Sequence, residues 1–150
     1  MKQRYRLYEA EDASGIGELW TTPDGMQAWL DWVARTKFWR ENSSVRHFKV
    51  RYPVPGQMSG ARKFTGEGER RVAEISFGPF SLCMLTALHE ITHLTKNLYS
   101  EGFDDEQDHG RAFATMELRI VKRYLSAESA AKLADKFTEY GVEFDPAWRE

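Results

Sequence analysis

Behind Thr22-Pro23, the apolar residues Met26, Trp29, Leu30 and Val33 recur at helical spacing. Residues 23–37 are therefore predicted to form a helix, with Thr22 as N-cap and Pro23 in the first turn. The period then changes. Between 45 and 54, Phe48, Val50, Tyr52 and Val54 alternate with Val45, His47, Lys49 and Arg51, as in a half-buried strand. Pro53, Pro55, Gly56, Ser59 and Gly60 end it, and Gly66 and Gly68 mark a further turn. Ala73, Ile75 and Phe77 alternate with Val72, Glu74 and Ser76, giving a second strand before Gly78-Pro79. Arg4-Tyr5-Arg6-Leu7-Tyr8 reads as a short strand at the start of the chain.

From Ser81 onward the pattern is helical. Residues 81–96 are apolar around most of the circumference, which predicts a helix buried in the middle of the fold. A polar loop containing Gly102 spans 97–105, and Asp105 is placed to cap a helix over 106–125 with the stripe Ala112, Phe113, Met116, Ile120 and Tyr124. Ser126 caps a last helix whose apolar face is Ala130, Leu133, Ala134 and Phe137, closed by Gly141. Strands first and helices after indicate an α+β fold, expected here as one domain over 1–150.

Composition narrows the class. At 150 residues, 41% hydrophobic and 29% charged, the chain is that of an ordinary globular domain. The single cysteine, Cys83, excludes an internal disulfide and any Cys-built zinc ribbon. No apolar run follows the N-terminus and no stretch is long enough to span a bilayer, so a cytoplasmic protein is expected. The net charge of −2 hides an asymmetry: residues 35–71 hold ten Lys or Arg against three Glu, while 101–150 hold twelve acids against seven bases. Such a basic stretch can face a polyanion, but solvated strand faces explain it as well. Nucleic acid is therefore not the favoured partner.

The chemistry concentrates in His89-Glu90-Ile91-Thr92-His93. Two His at i and i+4 share a helix face and can converge on one ion, and Glu90 beside the first can reach a water without taking a coordination position. Alone, the same pentapeptide also describes a buried helix with two hydrogen-bonded His. His109, at the head of the next apolar stripe, is a polar residue that needs a partner there, and packing of the two helices brings it toward His89 and His93. Three protein ligands with an open position are the arrangement of a catalytic zinc, and one cysteine leaves a four-ligand structural site hard to complete.

His89-Glu90-x-x-His93, fifteen residues, then His109-Gly110-Arg111-Ala112-Phe113 resembles the signature of SprT-like zinc metallopeptidases. The chain is also similar to a small group of actinobacterial and phage metallohydrolases. The specific part of the resemblance covers about residues 70–125. It implies a zincin-like fold, in which a small antiparallel sheet packs on a central HExxH helix. It also implies Zn²⁺ held by His89, His93 and His109, with Glu90 as general base, and a protein or peptide substrate. A peptide would add as a strand to an exposed edge, placed at 72–77. The Cys-rich recognition segments that many relatives carry are lacking, so DNA targeting does not carry over.

Other residues are weighed alongside. Glu101, Asp104, Asp105, Glu106, Asp108 and Glu117 are alternative carboxylate ligands, and Glu117 can instead support a ligand from outside the coordination sphere. Tyr99, Tyr124 and Tyr140 are candidate oxyanion donors. His47 reads as a surface residue and Cys83 as packing. Two other readings remain open: a non-catalytic metal-binding interaction module, and a nucleic-acid-associated protein.

Overall fold

A computed structural model describes residues 2–17, 21–56, 59–63, 71–96 and 109–150. Among the described residues, six α-helices and three short strands make an α+β fold, and none of these helices is long and apolar enough to cross a membrane. By their internal contacts the residues group into two compact units: Glu18–Lys96, and Met1–Gly17 together with Asn97–Glu150.

The first helix, α1 (Gln3–Ser14), lies where the alternation predicts a strand. Five alternating residues imitate a strand, but α1 gains its stability from docking Leu7 and Ala10 against the last helix of its unit, α6. That helix, α6 (Ala127–Tyr140), matches the sequence pattern in full. Ser126 accepts from the Ser129 amide, Ala130, Leu133, Ala134 and Phe137 are buried, and Gly141 closes it with a left-handed φ of 75°. Between them in sequence, α5 (Arg111–Tyr124) starts later than predicted, after Gly110 as N-cap. The position of Asp105 and the 97–105 loop fall outside the described residues. The buried face of α5 is Phe113, Ala114, Glu117, Leu118, Ile120, Val121 and Tyr124, whereas Ala112 faces solvent. A final 3₁₀ turn, Pro146–Arg149, buries Trp148 beside α5.

In the other unit, α2 (Pro23–Arg35) starts as predicted, with Thr22 accepting from the Gly25 amide. It ends early because Thr36 turns extended and caps a separate α3 (Lys37–Asn42). The strands are β1 (His47–Arg51), β2 (Gly60–Lys63) and β3 (Val72–Ser76), in the order β1-β3-β2. The sheet is mixed and not antiparallel: β1 runs parallel to β3, and only β2 opposes it. Burial explains the order. Ala73 and Ile75 of β3 are fully buried and take the centre, while the strands with Lys49, Arg51, Arg62 and Lys63 take the edges. Consequently 72–77 is no exposed edge, and the expectation that it receives a peptide is corrected. The sequence pattern does not mark β2, and the turn at Gly66 and Gly68 lies outside the described residues.

The outer edge of β1 is closed by a side chain. Gln27 on α2 donates through Nε2 to Phe48 O at 2.8 Å and accepts through Oε1 from the Val50 amide at 2.9 Å. Its amide thus does for β1 what another strand would do.

Candidate metal centre

The helix α4 (Met84–Thr92) is shorter than the predicted 81–96. Cys83 is its N-cap residue, with Sγ 3.3 Å from Thr86 Oγ1, and every residue from Ala87 to Thr92 is buried. His93 is the C-cap, still in the right-handed helical region, so the i to i+4 relation to His89 survives at the very end of the helix. The two rings lie 5.2 Å apart between centroids and are inclined at 67°. His89 and Glu90 are both buried, and His93 is half-buried. Imidazole and carboxylate together are a donor set that suits zinc.

The segment after His93 is firmly anchored. The Leu94 and Thr95 amides bond back to Ile91 O and Thr92 O, tightening the last turn. Ser43, fully buried between α3 and β1, donates through Oγ to Leu94 O at 2.7 Å and accepts from the Val45 amide at 3.1 Å. The Lys96 amide donates to Asn42 O at 2.8 Å. Trp39, also buried, donates from its indole to Val45 O at 2.9 Å and holds the same connection from beneath.

His109 belongs to the other unit, in the turn just before α5, and is buried. Its ring packs edge-on to Phe113, with centroids 4.9 Å apart, and to Tyr8 of α1 at 5.3 Å. Two acids are buried in this unit, Glu11 on α1 and Glu117 on α5, and a carboxylate oxygen of each lies within 4.8 Å of the other. Glu117 is legible as a candidate from its position in the chain. Glu11 and Tyr8 are not, because the alternation around them imitates a strand.

The remaining candidates fall apart by position. Glu101, Asp104, Asp105, Glu106, Asp108 and Tyr99 lie outside the described residues. Tyr124 is buried within α5, and Tyr140 is the last residue of α6. His47 is exposed on β1, as expected for a surface residue. In the basic segment, Lys49 and Arg51 share the outer sheet face with Glu74, which pairs with Arg51 at 3.9 Å and Arg62 at 3.8 Å. Arg46 instead serves the chain, donating to Ser43 O, Val45 O and Arg40 O. Burial, with Arg40 and Arg71 nearby, holds its guanidinium below the usual arginine range.

No protein-family model matches the chain, and no characterised protein or solved structure matches it.

Proposed function

We propose that this α+β chain is a zincin-like, zinc-dependent metallohydrolase whose substrate is a peptide bond. The observation that carries the reading is the burial of Glu90 on α4 beside His89, with His93 one turn on. Two imidazoles at i and i+4 on one helix face can hold one divalent ion, and a carboxylate beside the first can act on a water there without taking a coordination position. The third ligand in this reading is His109, separated from His93 by fifteen residues, which the SprT-like pattern supplies.

A zinc ion bound there would contribute Lewis acidity toward a water and a scissile carbonyl. The chain's own groups do the rest. His89, His93 and His109 bind as neutral imidazoles. Glu90 takes the proton of the attacking water and returns it to the leaving amine. Glu11 and Glu117 are carboxylates of the kind that orient ligating imidazoles from outside the coordination sphere. Among the described residues, the strand edge left for a peptide is the outer edge of β2, since β3 is central and Gln27 covers β1.

The test is metal analysis of the full chain purified with zinc. One zinc per chain, lost in His93→Ala, supports the reading. A wild type that takes up no zinc, or a His93→Ala variant that holds it equally well, overturns it.

A further inference from the structure

The segment that follows α6 is fixed through its main chain. Gln3 Oε1 accepts from the Glu143 amide at 3.1 Å, and Gln3 Nε2 donates to Glu143 O at 3.4 Å and to His109 O at 3.2 Å. Two residues on, the Asp145 amide donates to Thr115 Oγ1 at 2.9 Å, and the same hydroxyl donates to Arg111 O at 2.7 Å. One side-chain amide and one hydroxyl thus tie 143–145 to the start of α5. All of these residues belong to a single compact unit.

An open cleft of about 470 Å³ lies along this junction, a volume within the range of small-molecule sites. Val142, Phe144 and Pro146 form its apolar part, and the Phe144 ring is backed by Phe137 with centroids 6.0 Å apart. Arg111 and Glu143 bring the two charges that line it. The charges are opposite, yet they do not meet. Among the described residues, neither side chain enters an ion pair or a hydrogen bond. A ligand of one sign would be drawn to one residue and repelled by the other. A ligand carrying both signs gains from both, provided that its own charges are also apart. A free amino acid has them on one carbon, whereas a peptide has them at its two ends with apolar side chains between.

We propose that this cleft binds a short peptide by its free termini. The α-carboxylate meets the Arg111 guanidinium, whose planar fork suits it, and the α-ammonium meets the Glu143 carboxylate. Apolar side chains of the peptide lie against Val142, Phe144 and Pro146. The inference stands on this unit alone and does not rest on the zinc reading.

Leucyl-leucine is the probe, titrated into the isotope-labelled full chain in EDTA and followed by NMR of the main-chain amides. The amides of Arg111 and of residues 141–145 should shift. Blocking either terminus, as acetyl-leucyl-leucine or as leucyl-leucine amide, should weaken binding about fivefold, the upper end for an exposed ion pair. In Arg111→Gln the dipeptide and its amide should bind alike, while acetylation keeps its penalty. In Glu143→Gln the two penalties exchange. Both residues are exposed, so neither substitution touches the core, and thermal unfolding checks the fold. Each variant tests a separate terminus, so either one alone decides. No shift at millimolar leucyl-leucine, or the same two penalties in wild type and variant, overturns the site. EDTA keeps metal out of the measurement, so either result leaves the zinc reading where it was.

Discussion

Ser43→Ala removes one oxygen atom and leaves the Cβ in place, yet two buried main-chain groups lose their partner. Leu94 O loses its donor at 2.7 Å and the Val45 amide loses its acceptor at 3.1 Å. Ser43 is fully buried, and the space of a single oxygen is too small to admit a bridging water. An orphaned buried polar group costs about 1–3 kcal/mol, so with partial relaxation the pair should cost roughly 2–4 kcal/mol. Equilibrium urea unfolding in EDTA measures this without any contribution from metal, as a lower midpoint at unchanged slope. Leu94 adjoins His93, the ligand proposed above, so on that reading the loss should also reach metal binding. Repeating the measurement in excess zinc should raise the variant's stability by less than it raises the wild type's. A Ser43→Ala variant within about 0.5 kcal/mol of wild type in EDTA would refute the reasoning, because surface substitutions already fall in that range.

Three further outcomes are expected. Glu90→Gln should keep zinc and fold but lose hydrolysis of an unfolded protein substrate, since an amide cannot accept the water's proton; equal turnover by both proteins removes Glu90 from the mechanism. Gln27→Glu should destabilise by about 1–2 kcal/mol at neutral pH, because a carboxylate facing Phe48 O can only accept. The fold then favours the protonated acid and raises its pKa above about 4.3, so the deficit should shrink as pH falls through that range; a deficit flat from pH 7 to 4 contradicts the edge-capping role. The basic segment should bind DNA weakly or not at all at about 0.15 M salt, since Glu74 already engages Arg51 and Arg62. Retention of duplex or single-stranded DNA at that salt, lost when Arg70 and Arg71 become Glu, would reverse that expectation.

The features legible in the sequence are local ones. The caps at Thr22 and Ser126, the stripe of α6 and the alternation of β3 are each set within a few residues, and each can be read there. The pairing of His89 with His93 is of the same kind. Sequence and structure diverge where a distant partner decides. α1 buries only Leu7, Ala10 and Glu11, too few to mark a helical period, and its stability comes from a helix more than a hundred residues away. β2 is four residues, Gly60-Ala61-Arg62-Lys63, without alternation, and becomes a strand by pairing with β3. The parallel register of β1 depends on which strand is apolar enough to be central, and no single segment carries that information. For the same reason Tyr8, 101 residues from His109, has no signal in the chain around either residue.

The division of the chain orders its synthesis. Residues 18–96 are contiguous, so α2, α3, the sheet and the His89–His93 helix can fold as soon as they leave the ribosome. Their companion unit is interrupted in sequence. α1 emerges first and must wait for α6, whose last residue is Tyr140, before its apolar side has anything to cover it. Until then Gln3 and Tyr8 have no ordered His109 to hold. A nascent chain therefore carries His89 and His93 on a folded helix long before the unit around His109 is complete. Loss of α1 and loss of α6 therefore strike the same unit, although the two helices lie at opposite ends of its sequence.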